Sequence, residues 1–178
     1  MQKSGARFDE QRLLWINGAH IRALSLDDLY QKVSSFWPES SAVYDESYKK
    51  AVLGLVQERL KYFGELPILT DFFFHDLDID ITLITENKKL KKLETPDIKA
   101  LLEQARNTLQ NSDFSLDDLT ERLNQLLEQT EQKPAILFSL VRIATTQAAA
   151  SPGLADTLHV LGKEVALRRI EQQLDALV

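Results

Sequence analysis

Residues 95–146 carry three apolar patterns in succession, all at helical spacing. This run most narrows the folds open to the chain. Ile98, Leu101, Leu102, Ala105 and Leu109 fall on one face of a helix expected over 95–110, with Thr95 as N-cap and Pro96 at its first position. Ser115 is expected to cap the next helix, which turns Leu116, Leu119, Leu123, Leu126 and Leu127 inward. Lys133-Pro134 opens a third helix, with Ile136, Leu137, Leu140, Val141 and Ala144 buried. No stretch shows a multi-strand alternation, so the chain is expected to be all-α.

The first half follows the same grammar. Residues 1–7 read as a disordered or expression-derived start. Residues 8–18 read as a short helix with Asp9 and Glu10 near its N-terminus and Gly18 as its stop, packing Leu13, Trp15 and Ile16. A second helix is expected from Ser25 to about residue 36, with Asp28 reciprocating the Ser25 cap. The same Ser-Leu-Asp-Asp-Leu recurs at 115–119; without a longer period it is one capping solution used twice. Residues 38–42 read as a loop.

A helix over 45–63 places Val52, Leu55, Val56, Leu60 and Phe63 on one buried face, with Arg59 at its edge. Pairing of Arg59 with Glu58 or Glu65 is the plain structural reading there. Another short helix is expected over 67–74, with Phe72, Phe73 and Phe74 as a buried hinge rather than a base-stacking platform. Asp76, Asp78 and Asp80 lack the glycine and the glutamate of a calcium loop and read as an exposed connector. Lys88, Lys89, Lys91 and Lys92 read as a solvated helix face, with phosphate contact as the alternative.

Composition excludes several function classes. There are no cysteines, and His20, His75 and His159 are far apart in sequence, so no metal site is expected. No apolar run approaches the roughly 20 residues of a membrane span, and no secretory signal is seen, which points to the cytoplasm. The net charge of −6 argues against a broad nucleic-acid field. Residues 1–80 have a net charge of −4, whereas 133–178 reach +1 through Lys133, Arg142, Lys163, Arg168 and Arg169 against four acids. Any RNA would be held by a few placed cations.

Those cations cluster around residues 141–169. A helix there ends in Ala148, Ala149 and Ala150; Ser151 is expected as the next N-cap, Pro152 as the first helical residue and Gly153 as a point of close backbone approach. Gly162 punctuates the chain before a cationic helix. On spacing alone this is a tight helix–turn–helix of a bundle. A helix start beside Arg142 also suits a ligand rich in oxygen and phosphate. No P-loop, dinucleotide-binding glycine pattern or nucleophile elbow is present, and the paired acids Asp27/Asp28 and Asp117/Asp118 are capping residues, so no catalytic residue is assigned.

Two sets of residues carry a resemblance. Phe8, Asp9, Arg12, Leu13, Trp15, Asn17, Gly18, Ile21 and Arg22 form one; Arg142, Ser151-Pro152-Gly153-Leu154, Leu161-Gly162-Lys163-Glu164 and Arg168-Arg169 form the other. With Leu55-Val56-Gln57-Glu58-Arg59-Leu60 between them, they resemble bacterial-type glutamyl-tRNA synthetases over residues 8 to about 170. The resemblance implies the non-catalytic C-terminal part of such an enzyme: two consecutive small helical subdomains forming an anticodon-binding cage. Residues 1–23 would be a connector after the absent catalytic domain, 24–82 the first subdomain and 83–178 the second.

By the same resemblance, Arg59 reads the third anticodon base, while Arg142, Ser151, Pro152 and Leu154 form the pocket for the other two. Lys163, Arg168 and Arg169 are candidate phosphate contacts. A guanidinium fork donates well to cytosine O2 and N3 and poorly to guanine, so Arg59 implies discrimination. The implied partners are the tRNA(Glu) anticodon loop and the parent's catalytic domain, with a monomeric state. ATP and Mg²⁺ belong to that absent domain and no cofactor to this chain. Family members commonly have Lys at Arg12, Tyr at His20, Thr at Ser151 and Leu-Thr-Gly where Thr145-Thr146-Gln147 stands. The competing class is a helical protein-interaction scaffold, which has no reason to point Arg59 and Arg142 into one concave face.

Overall fold

The computed structural model describes residues 9–177, so the readings for residues 1–8 fall outside it. Among the described residues every regular element is helical. The contacts divide the chain into two compact units, Met1–Asp71 and Phe72–Val178.

In the first unit, α1 (Glu10–Ala23) begins where the Asp9 side chain accepts the Arg12 N–H at 3.1 Å. It runs straight through Gly18, which is therefore a packing glycine and not the expected stop. A Cβ there would stand 3.4 Å from the Leu60 carbonyl oxygen and 3.1 Å from Arg22 Nη1, so its absence lets the 60–61 backbone pass against the helix. α2 (Leu26–Lys32) is capped as expected. Ser25 Oγ accepts the Asp28 N–H at 3.1 Å and donates to Asp28 Oδ2 at 2.7 Å. It ends before the expected residue 36 because Val33 leaves helical geometry and the chain turns.

α3 (Glu46–Val56) also stops short of its expected end at 63. The Gln57 side chain donates to the Ile21 and Leu24 carbonyls at 3.1 and 3.0 Å, tying the end of α3 to the end of α1. The chain tightens into a 3₁₀ turn over Gln57–Arg59, and Leu60 is then extended. α4 (Leu66–Thr70) completes the unit. Ile21, Leu29, Val33, Leu53, Val56, Leu60 and Leu66 form its core.

The second unit holds α5 (Thr82–Thr85), α6 (Thr95–Gln110), α7 (Leu116–Thr130), α8 (Pro134–Thr146), α9 (Leu154–Leu161) and α10 (Lys163–Ala176). All five apolar residues expected on the inner face of α6 are buried. Its N-cap is Glu94 rather than Thr95, because Thr95 already has helical geometry. Ser115 caps α7 as expected, but Leu116 is 41% exposed, since the first residue of the helix lies before its packed face. Asp118 accepts from Ser112 Oγ at 2.5 Å and from Arg122 Nε at 2.8 and 2.9 Å, so this cap is also the hub of a small polar cluster. α10 packs on α6, α8 and α9. The shared core includes Leu102, Leu109, Leu119, Leu137, Leu140, Leu158 and Ile170. Truncating a fully buried leucine such as Leu102 to alanine costs about 2–5 kcal/mol.

Residues 76–85 pack with this second unit. The Asp80 N–H donates to Gln147 Oε1 at 2.9 Å, and Ile84 lies in its core. The contact division thus falls upstream of the boundary expected between 82 and 83. Phe72, Phe73 and Phe74 are buried, in keeping with packing rather than base stacking. Lys88, Lys89, Lys91 and Lys92 are exposed on turns, not on the expected helix face. No helix among the described residues is long and apolar enough to cross a membrane.

Candidate nucleic-acid interface

Arg142 belongs to the last turns of α8. That helix ends at Thr146 because Gln147 adopts a left-handed conformation (φ 47°), from which its N–H closes on the Ile143 carbonyl. The chain then returns past Arg142 through residues 148–153. Arg142 Nε donates to Ser151 Oγ at 2.8 Å, and Ser151 Oγ donates to the Pro152 carbonyl at 3.0 Å. Ser151 is only 4% exposed.

This corrects the local reading of the sequence. Ser151 is not an N-cap, and Pro152 is not the first helical residue. α9 starts at Leu154 with Gly153 as its N-cap, and the first bond of the helix runs from the Thr157 N–H to the Gly153 carbonyl at 2.8 Å. The Ser151 hydroxyl is committed to the guanidinium and the Pro152 carbonyl instead of to helix N–H groups. The structure thus joins Arg142 and Ser151 directly. Pro152 is buried beside them in sequence, and Leu154 is buried in the core of the unit.

The cations assigned to phosphates all have protein partners. Lys163 Nζ donates to the Ser112 carbonyl at 2.8 Å. Arg168 Nη2 grips Asp76 at 2.7 and 3.0 Å. Arg169 is 7% exposed. Its Nη1 donates to the Thr145 carbonyl at 2.8 Å, its Nη2 to the His75 carbonyl at 2.7 Å and its Nε to Asp76 Oδ1 at 3.4 Å.

Asp76 is therefore the anchor of two arginines, within a connector that is exposed at Asp76, Asp78 and Asp80 as expected. The hydrogen bonds from Arg168, then its charge, with Arg169 behind them, hold the Asp76 carboxyl below the usual carboxylate range. Leu77, Ile79, Thr145, Thr146, Gln147 and Arg169 help line a cavity of about 10 Å³ beside this junction, roughly the size of one water. The sequence carried no signal for this pairing, because Asp76 and Arg168 are 92 residues apart. Among the described residues no group of three His, Cys, Asp or Glu is placed to hold a metal ion.

Arg59, in the first unit, closes the 3₁₀ turn that follows α3. It is exposed and makes no hydrogen bond or ion pair among the described residues. Glu65, one of its expected partners, accepts the Lys61 N–H at 2.7 Å instead. The backbone beneath Arg59 is tied down on both sides: Gln57 reaches the α1 carbonyls, and Asn17 Nδ2 donates to the Lys61 carbonyl.

A family model described as an anticodon binding domain matches residues 28–174, and the chain belongs to that family. Its curated relatives include the glutamate–tRNA ligase of Roseiflexus castenholzii, 33% identical over 99% of this chain and 36% of that protein. The glutamate–tRNA ligase of Chloroflexus aurantiacus is 32% identical over 99% of this chain and 37% of its own length. The chain thus spans a little over a third of the curated relatives it matches. A crystal structure of a glutamate tRNA ligase from Elizabethkingia meningosepticum superposes with a TM-score of 0.81 at 20% identity, covering 100% of this chain and 34% of that one. This second likeness shows the all-α fold.

Proposed function

We propose that this chain reads the anticodon loop of tRNA(Glu) as the C-terminal part of a monomeric, cytoplasmic glutamate–tRNA ligase. The parent's ATP- and Mg²⁺-dependent chemistry lies outside the chain. The observation that carries this reading is the family match over residues 28–174. Anticodon bases splay out of the stack and offer their Watson–Crick edges to planar donors. Arg59 is such a donor on a braced turn and reads the third base. Arg142, oriented by Ser151, serves the first and second bases, with Pro152 and Leu154 backing that segment. Each of the two helical units takes a share of the loop, and the connector reading for residues 1–23 falls to α1.

Lys163, Arg168 and Arg169 contribute by holding the second unit together before they contribute to phosphate binding, since each already has a protein acceptor. α1 exposes Leu13, Trp15 (69%) and Ile16. Beside it lies a cleft of about 450 Å³ lined by Gln11, Leu14, Trp15, Arg22 and Lys61. We assign this apolar face to the parent's catalytic domain.

The test is binding of the chain to two stem-loops that differ only in the third anticodon base, cytosine or guanine, at fixed salt. The expected result is a preference for cytosine that Arg59→Gln relaxes. Equal binding to both loops would remove Arg59 as the reader, and no binding at low salt would sink the loop-binding reading for the isolated chain.

A further inference from the structure

The turn that carries Arg59 also carries an aromatic side chain without an assigned role. Tyr62 is 47% exposed. Its backbone is extended (φ −154°, ψ 158°), which projects the side chain from the turn. The Cδ2–Cε2 edge of its ring rests on Gly64: a Cβ at that position would stand 3.3 Å and 3.1 Å from those two atoms. The frame around it is braced. Asn17 holds the Lys61 carbonyl, Glu65 accepts the Lys61 N–H at 2.7 Å, and the Glu65 N–H donates to the Tyr62 carbonyl at 3.1 Å. Leu60, between Arg59 and Lys61, is fully buried and pins the turn to the core.

Arg59, Lys61 and Tyr62 are all exposed within four residues. Three residue steps separate Arg59 from Tyr62, so their Cα atoms lie at most about 11 Å apart, a span that unstacked neighbouring nucleotides can bridge. The Glu65 carboxylate accepts the Lys61 N–H at 2.7 Å, which fixes the backbone between Arg59 and Tyr62.

We propose that Tyr62 is a stacking platform for the unpaired nucleotide adjacent to the one Arg59 reads, with Lys61 on the phosphate that joins them. The proposal rests on the loop-reading function above and adds a contact of a different kind. Stacking accepts any base, because every base has a π-face, so Tyr62 supplies affinity where Arg59 supplies choice.

The experiment uses the full chain and stem-loops with 2-aminopurine placed in turn at each loop position; stacking on an aromatic ring changes its fluorescence. The chain and its Tyr62→Phe variant should change the signal at a position next to the third anticodon base. Tyr62→Leu should lose that change and bind the cytosine and guanine loops about tenfold more weakly in equal measure, leaving their ratio intact. Thermal melting of Tyr62→Leu should match the parent chain, because the side chain is exposed.

Unchanged fluorescence and affinity in Tyr62→Leu, with the cytosine preference retained, would overturn this proposal alone. A lowered melting temperature that accounts for the lost binding would overturn it in favour of a packing role. Absence of binding by the unaltered chain would overturn it together with the loop-reading function.

Discussion

Arg142 Nε and Ser151 Oγ lie 2.8 Å apart, and this bond makes the loop after α8 an orienting element for the guanidinium. Nε sits at the root of the planar group, so a bond there sets the plane in which the rest of the fork lies. Ser151→Ala removes the acceptor. The expected outcome is about tenfold weaker stem-loop binding, the scale of one hydrogen bond to a charged group, with a small change in melting temperature. Ser151→Thr keeps the hydroxyl and should retain most of the affinity. Binding titrations of the two variants side by side check this, and equal losses would place the effect in packing.

Arg169 and Arg168 predict opposite responses despite being neighbours. Arg169 is buried, and its removal leaves the Thr145 and His75 carbonyls without their donor. Arg169→Met should cost about 1–3 kcal/mol in urea unfolding for each carbonyl left unsatisfied. Arg168 is half-exposed, and Arg168→Ala should cost less than about 1 kcal/mol. If Arg169→Met unfolds at the same urea concentration as the parent chain, the strut role is wrong.

The carboxyl of Asp76 gives the second unit an acid-sensitive joint. Its folded pKa is depressed, so its contribution is fully present above the ordinary carboxylate pKa of about 4 and is lost as pH falls through the lower folded value. Asp113 and Asp118 are depressed in the same direction, by the Ser115 N–H and by the Ser112 and Arg122 side chains respectively. Acid unfolding of Asp76→Asn should therefore be shallower below about pH 4 than that of the parent chain. Superimposable pH–stability curves would contradict the linkage.

Much of this fold was legible because capping and apolar spacing are local. Ser25 with Asp28, Ser115, and the inner face of α6 all appear where a helix needs them, whatever the rest of the chain does. The failures share one physical cause, a distant partner that overrides a local preference. Gly18 looks like a helix stop, yet the approach of Leu60 makes it a packing residue. Ser151 looks like an N-cap, yet Arg142 takes its hydroxyl. Helix 45–63 is cut short by Gln57 reaching back to α1. Arg169 looks like a surface cation in an amphipathic helix, and only the folded chain supplies the carbonyls that make its burial tolerable. The types of the candidate site residues were readable, whereas their bonding was not.

Gly162 offers a fourth test. Its φ of 80° with ψ of 160° is a conformation that essentially only glycine adopts, and the space around its Cα is open. Gly162→Ala should therefore destabilise the second unit by about 1–3 kcal/mol through backbone strain alone, read as a lowered urea midpoint. An unchanged midpoint would mean that the α9–α10 junction relaxes freely.

That junction also sets the rotational phase of the C-terminal helix. α9 ends at Leu161 and α10 starts at Lys163, so a single residue separates them and the joint has no slack. One residue inserted or deleted at this point would turn α10 by about 100° about its own axis. Such a turn carries Arg169 away from the Thr145 carbonyl and Gln173 away from Gln147, and brings Arg168 or Ile170 and Gln172 or Leu174 into their places. The lone glycine thus acts as an index mark: chain length at this joint, as much as side-chain identity, decides which face of the last helix meets the core.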